Sequence, residues 1–174
     1  MAKLTVSKLD AARAQIDAAI EMYFVANNPI AFHTLTAAAY NVLRDLALKD
    51  GSAHPFIKRS FIDEYPAEAQ KSLRKFLNRP ENFFKHADND PGAVITFDPE
   101  ITEILLMDAC AYFRDKKVDR PKYYEAYKAW HGVPKDGLNE GMKLMTEALR
   151  EMFRSKGKRE FWNLIQPHLT SASN

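Results

Sequence analysis

From Ile30 through Leu43 the chain carries no aspartate, glutamate, lysine or arginine, in a sequence where 28% of residues are charged. Pro29 precedes this stretch and Gly51 follows it, the order in which proline suits a first helical turn and glycine a helix exit. A helix from Pro29 to about Lys49 with so little formal charge has no solvated face over most of its length, so it must lie at the centre of the domain. His33, Thr34, Thr36 and Asn41 within it then need partners in the interior or at an interface.

The flanking segments have the one-sided pattern of helices that pack on such a centre. Ser7 is placed to cap a first helix, with Asp10 closing a capping box. Leu9, Ala12, Ile16, Ala19, Ile20 and Tyr23 then recur at three- and four-residue steps, while Lys8, Arg13, Asp17 and Glu21 fall off that stripe. This helix should end near Asn27-Asn28-Pro29. Short helices are expected over 57–62, from Pro66 to Asn78, and over 81–86 after the restart at Pro80. The run from Asp88 to Gly92 is a dense turn signal. Ala93 to Phe97 is the β-like run, and five such residues alone read as an extended connection or a small hairpin. Asp98, Pro99 and Glu100 open another helix that continues through Phe113. Helices over 121–131, 138–155 and 158–169 follow, and Leu144, Ala148, Met152, Phe161, Trp162 and Ile165 share a periodicity that packs them on the same body. The fold class predicted is all-α: a single helical domain over 1–174, with two long antiparallel N-terminal helices, the helix from Asp98 completing the core, and further C-terminal helices buttressing it.

A chain of 174 residues can bury a real core without disulfides. Its 25 Lys and Arg against 23 Asp and Glu give a net charge of +2, too little to mark a broad nucleic-acid or membrane surface. The single cysteine, Cys110, sits in the apolar run 104–113 and reads as a small core residue. No stretch approaches the ~20 apolar residues that span a bilayer, and the N-terminus lacks a signal-type apolar region. A cytoplasmic location, no membrane partner and no cofactor are expected.

Chemistry concentrates between Arg79 and Asp90. In a helix there, Asn82 and His86 are four apart and share a face, with Phe83 and Phe84 anchoring the turn against the core. An imidazole at a helix end can exchange protons near neutral pH. The plainer reading of His86 is a helix C-terminal cap favoured by the dipole; that of Arg79 is a surface ion pair with Glu81 or a nearby acid; Asn82 would satisfy a loop carbonyl.

An arginine followed within a short helical segment by a histidine, after two long helices, resembles the R-x4-6-H signature of HEPN-domain ribonucleases and toxins, over residues 7 to 113. Pro80 stands here where that family usually has a polar residue, and Asn82 supplies the amide two positions later. The resemblance implies a homodimer in which the arginine and histidine of both subunits line a cleft. RNA is cut there without metal as the 2′-hydroxyl attacks the adjacent phosphate. Arg79 would then steady the phosphate and His86 transfer protons, with Asn82 beside them.

Two other constellations are candidate sites. His86, Asp88 and Asp90 are three metal-ligand types at alternate positions. His33, Asn41, Arg44 and Asp108 form a possible ligand site, because Asp108 interrupts an apolar run and needs a partner such as Arg44 or His33; an internal structural ion pair is the plainer reading. Basic and aromatic residues also mix over 116–124 and 150–154, a composition that can hold RNA if it adjoins His86. Three functions are consistent with the sequence: a helical interaction or regulatory protein of bacterial type resembling a HEPN-like domain, with RNA or a protein as partner; a metal-independent endoribonuclease using Arg79 and His86; and a small-molecule or metal-binding bundle.

Overall fold

The computed structural model of the chain describes residues 3–51, 56–88, 90–132 and 140–170, and among these it is all-helical, with no strand. The helices are α1 (Lys8–Val25), α2 (Pro29–Asp50), α3 (Ile57–Asp63), α4 (Ala67–Leu77), α5 (Arg79–Lys85), α6 (Glu100–Lys116), α7 (Tyr124–His131), α8 (Glu140–Lys156) and α9 (Lys158–Thr170). The segment 93–97 is neither helix nor strand.

Local chemistry sets the helix ends. The Ser7 Oγ accepts the Asp10 N–H at 3.1 Å and donates to the Asp10 carboxylate at 2.5 Å, so the reciprocal bond runs through the serine hydroxyl rather than its backbone N–H. Asn28 caps α2 through Oδ1 to the Ala31 N–H at 3.1 Å, with Pro29 in the first turn. Gly51 ends α2 at φ +68°, the left-handed conformation that a Cβ disfavours. The Asp98 Oδ1 takes the Glu100 N–H at 2.9 Å and starts α6.

The two long N-terminal helices pack against each other, α6 lies on α2, and α9 closes over α1. Ala12, Ile16, Ala19 and Ile20 of α1, Ala39, Tyr40 and Leu43 of α2, and Leu106, Ala109, Cys110 and Phe113 of α6 are fully buried in one cluster. Alanines along the seam let α1 and α2 approach closely, and burial pushes the Cys110 thiol well above its usual range, so this cysteine is an inert packing group. An aromatic set of Phe24, Trp130, Phe161 and Trp162 fixes α9 to the body, with Phe24 and Trp162 stacked at 5.2 Å.

Part of the expected packing differs. Ile30, at the start of the charge-free stretch, is 54% exposed, so α2 is buried from Phe32 onward rather than from its first turn. In α8, Ala148 is exposed and Met152 is 46% exposed; Phe153 is the residue that turns inward, onto Phe161 at 5.5 Å. Phe161 and Trp162 are buried and Ile165 packs against them, while the Leu144 side chain lies outside the described residues.

Candidate functional site

The helix α5 is only seven residues long, and its position is set by a polar knot on its inner side. The Glu81 carboxylate is buried; it accepts the Asn41 amide at 2.5 Å and the Lys85 ammonium at 2.8 Å, and the Lys58 ammonium stands 4.0 Å away. The Arg44 Nη1 donates to the Asn41 Oδ1 at 3.0 Å, and the Lys58 Nζ donates to the Asn78 Oδ1 at 3.2 Å. A buried carboxylate is tolerated only when so compensated. Phe84 adds an apolar clamp, meeting Phe97 edge-on at 5.3 Å and His33 at 5.7 Å.

With Glu81 buried and Phe84 packed on His33 and Phe97, helical spacing turns Arg79, Asn82 and His86 outward, at i, i+3 and i+7. All three line one open groove of about 980 Å³ between α4, α5 and the residues Asp88, Asp90, Ala93 and Val94. Ser72, Lys75 and Phe76 of α4 form one wall, and Asp88, Asp90, Ala93 and Val94 the other. Among the described residues, the side chains of Arg79, Asn82 and His86 have no hydrogen-bond or ion-pair partner, so their donors and acceptors are open to a ligand. His86 is also the C-cap residue of α5, in extended conformation, with its backbone N–H on the Asn82 carbonyl at 3.0 Å. Capping by the main chain and a groove-facing imidazole are therefore compatible. Arg79 does not pair with Glu81, because Glu81 is buried on the opposite side of the helix.

Formal charge in the groove is balanced: Lys75 and Arg79 are set against Asp88 and Asp90. His86, Asp88 and Asp90 share this wall, but among the described residues no three His, Cys, Asp or Glu side chains are gathered in a group that could hold a metal ion. The basic and aromatic residues of 116–124 and 150–154 do not line the groove. Instead, Lys116 pairs with Asp50 at 2.8 Å, Arg120 with Glu125 at 2.9 Å, and the 117–123 loop is tied to α1 through Asp119 O to Arg13 and the Tyr123 N–H to Asp17.

His33, Asn41, Arg44 and Asp108 are not brought to one place. The His33 Nδ1 bonds the Thr102 hydroxyl at 2.8 Å in a pocket walled by Phe84 and Phe97, and its Nε2 is buried with no hydrogen-bond partner. Burial, reinforced by the positive Lys58, pushes the imidazole down to about 4, which keeps it neutral at pH 7. Arg44 bonds Asn41 and Asp45. Asp108 accepts the Ile57 N–H at 2.8 Å and the Tyr40 hydroxyl, which in turn accepts the Lys58 N–H at 3.1 Å. Its role is to hold the start of α3 against α2 and α6, and neither Arg44 nor His33 is its partner.

A second, partly buried polar network escaped sequence reasoning, since its members come from four helices. The Glu103 carboxylate of α6 accepts the Tyr23 hydroxyl at 3.0 Å, and the Trp130 indole N–H donates to the same hydroxyl at 3.1 Å. Lys158 of α9 stands 3.7 Å from Glu103 and 3.5 Å above the Tyr23 ring. The His131 Nε2 lies 3.6 Å from Glu103 but makes no hydrogen bond to it. Burial and the positive Lys158 and Arg154 outweigh that carboxylate and push the imidazole down to about 4, so the contact is dipolar rather than ionic. This network joins α1, α6, α7 and α9.

In comparisons with known proteins, no family model, no curated protein and no solved structure matches the chain. Fold and site together define an all-helical bundle in which no helix among the described residues is long and apolar enough to cross a membrane, carrying one open polar groove on α4 and α5.

Proposed function

We propose that this chain is a HEPN-like endoribonuclease that works without metal and as a homodimer, with the α4–α5 groove as its RNA-binding surface. The observation that carries the reading is the meeting of Arg79, Asn82 and His86 in one groove, exposed and without partners among the described residues. Arg79 presents a guanidinium fork that suits a phosphate oxygen pair. His86 takes the proton of the ribose 2′-hydroxyl as that oxygen attacks phosphorus. The new O2′–P bond forms as the P–O5′ bond breaks, and the departing 5′-oxygen takes up a proton, leaving a 2′,3′-cyclic phosphate and a 5′-hydroxyl. Asn82 donates its amide to a nonbridging oxygen, and Phe76, 68% exposed on the groove wall, offers a ring for a base. A second copy would place its own Arg79 and His86 across the groove, sealed by apolar rims such as Val94, which is 88% exposed.

The test is cleavage of labelled single-stranded RNA in the presence of a chelator by wild type and His86→Ala. Removing a proton-transfer group should lower the rate by about a hundredfold or more. The melting temperature should stay close to wild type, since an exposed side chain without partners contributes about 0.5 kcal/mol or less. Undiminished cleavage by His86→Ala would sink the reading. A second reading, a helical interaction or regulatory protein that binds without cutting, is favoured by one feature: Asp88 and Asp90 cancel the positive charge of the groove. It predicts RNA or protein binding at this groove with no cleavage by wild type.

A further inference from the structure

We propose that a separate cleft, between α2, α3 and α4, binds a small phosphate-bearing ligand of the nucleoside-phosphate kind. The cleft has a volume of about 490 Å³, within the ~300–1,000 Å³ range of small-ligand sites. Arg44, Lys58, Arg59 and Arg74 line it, against the two acids Asp45 and Asp63. Leu48 and Ile62 supply apolar surface beside these cations, a place for a flat ring.

The state of each cation argues for an anion. Lys58 is only 7% exposed, its ammonium sits 5.3 Å from the Tyr40 ring, and among the described residues its one hydrogen-bond acceptor is the neutral Asn78. The nearest carboxylate, Glu81, is 4.0 Å away and already bonded by Asn41 and Lys85. Glu81 shares its charge between Lys58 and Lys85, and burial lowers the proton affinity of the Lys58 ammonium, so an anion placed beside it would favour its charged form. Arg59 meets Asp63 through Nε at 3.5 Å, leaving its two terminal nitrogens for a ligand. Arg74 gives Nη2 to Gln70 at 3.1 Å and keeps its remaining nitrogens. Arg44 spends its donors on Asp45 and Asn41 and contributes charge only. Phosphate oxygens placed among Lys58, Arg59 and Arg74 would satisfy all three, and both arginines can bind in bidentate fashion.

This cleft is distinct from the groove of Arg79 and His86. Arg74 of α4 and Asn78 after it line this cleft, whereas Ser72, Lys75 and Phe76 of α4 and Arg79 of α5 line the groove. The helix between them buries none of its own residues, so a ligand bridging α3 to α4 would brace an element the core does not hold.

The experiment is calorimetric titration of the full chain with inorganic phosphate, pyrophosphate and adenosine diphosphate at low and high salt, repeated with Arg59→Gln, Arg74→Gln and His86→Ala. The proposal expects saturable binding of adenosine diphosphate that weakens with salt. Each arginine variant should bind about tenfold or more weakly, the loss expected for charged hydrogen bonds. His86→Ala should bind as wild type, which separates this cleft from the cleavage site whatever the fate of that reading. Both arginines are exposed, so their variants should fold, and unchanged melting in the absence of ligand would confirm it. Absence of saturable binding at millimolar ligand, or equal binding by the arginine variants, overturns the proposal. Binding of an oligoribonucleotide but of none of the three small probes overturns it as well, by transferring the cleft to the RNA.

Discussion

Acidification from pH 7 to pH 5 should destabilise the fold, and the cause is specific to two buried imidazoles. His33 is 1% exposed, faces Lys58, Glu81 and Lys85, and is pushed from its ordinary 6.5 down to about 4. His131, walled by Glu103, Lys158 and Arg154, is pushed down by a similar amount. Between those values the unfolded chain binds protons that the folded chain refuses. The stability of a depressed histidine is therefore fully present above 6.5, falls as pH drops toward 4, and is gone below that. Taking 6.5 unfolded and about 4 folded, each site costs roughly 2 kcal/mol at pH 5 relative to pH 7, and the two together roughly 4 kcal/mol. Asp17, raised by burial, acts in the opposite sense. Urea unfolding followed by far-ultraviolet circular dichroism at half-unit pH steps measures the effect. His33→Gln keeps a hydrogen-bonding group near Thr102 and removes the titration, so its stability should fall only about half as much between pH 7 and pH 5. A stability that stays flat across this interval, or a variant with the wild-type slope, would refute the argument.

Other perturbations test the packing. Leu106→Ala, at a fully buried position between α2 and α6, should cost about 2–5 kcal/mol in urea unfolding; a loss below 1 kcal/mol would contradict the placement of this side chain in the core. Gly51→Ala meets open space, so only its φ of +68° opposes the methyl group, and a loss of about 1 kcal/mol in thermal unfolding is expected. A stabilising effect there would mean that α2 ends in another conformation. Light scattering at high micromolar concentration should show a dimer, and Val94→Lys should shift it toward monomer if the groove rims meet.

The helical architecture was legible because its signals are local. Ser7, Asn28, Pro29, Gly51 and Asp98 act within a few residues of where they stand, and the charge-free interior of α2 could only be a buried helix. The groove face was partly legible for the same reason: Asn82 and His86 share a side by helical spacing alone. What sequence could not supply was the identity of partners. Asp108 calls for a partner in any reading, but the backbone of Ile57 and the hydroxyl of Tyr40 became its partners only once α3 docked. Glu81 looks like a surface residue beside Arg79 until the packing of Phe84 turns it inward to meet Asn41. Glu103, Tyr23, His131 and Lys158 belong to no motif, because their network exists only in the folded bundle.

Product analysis of one defined substrate tests the groove of Arg79, Asn82 and His86 as a site of RNA cleavage. A single-stranded RNA and the same oligonucleotide carrying 2′-deoxy sugars throughout would be incubated with the protein in excess chelator. Fragments ending in 2′,3′-cyclic phosphate are expected from the RNA and none from the deoxy strand. An intact RNA, or equal cutting of both strands, would contradict it.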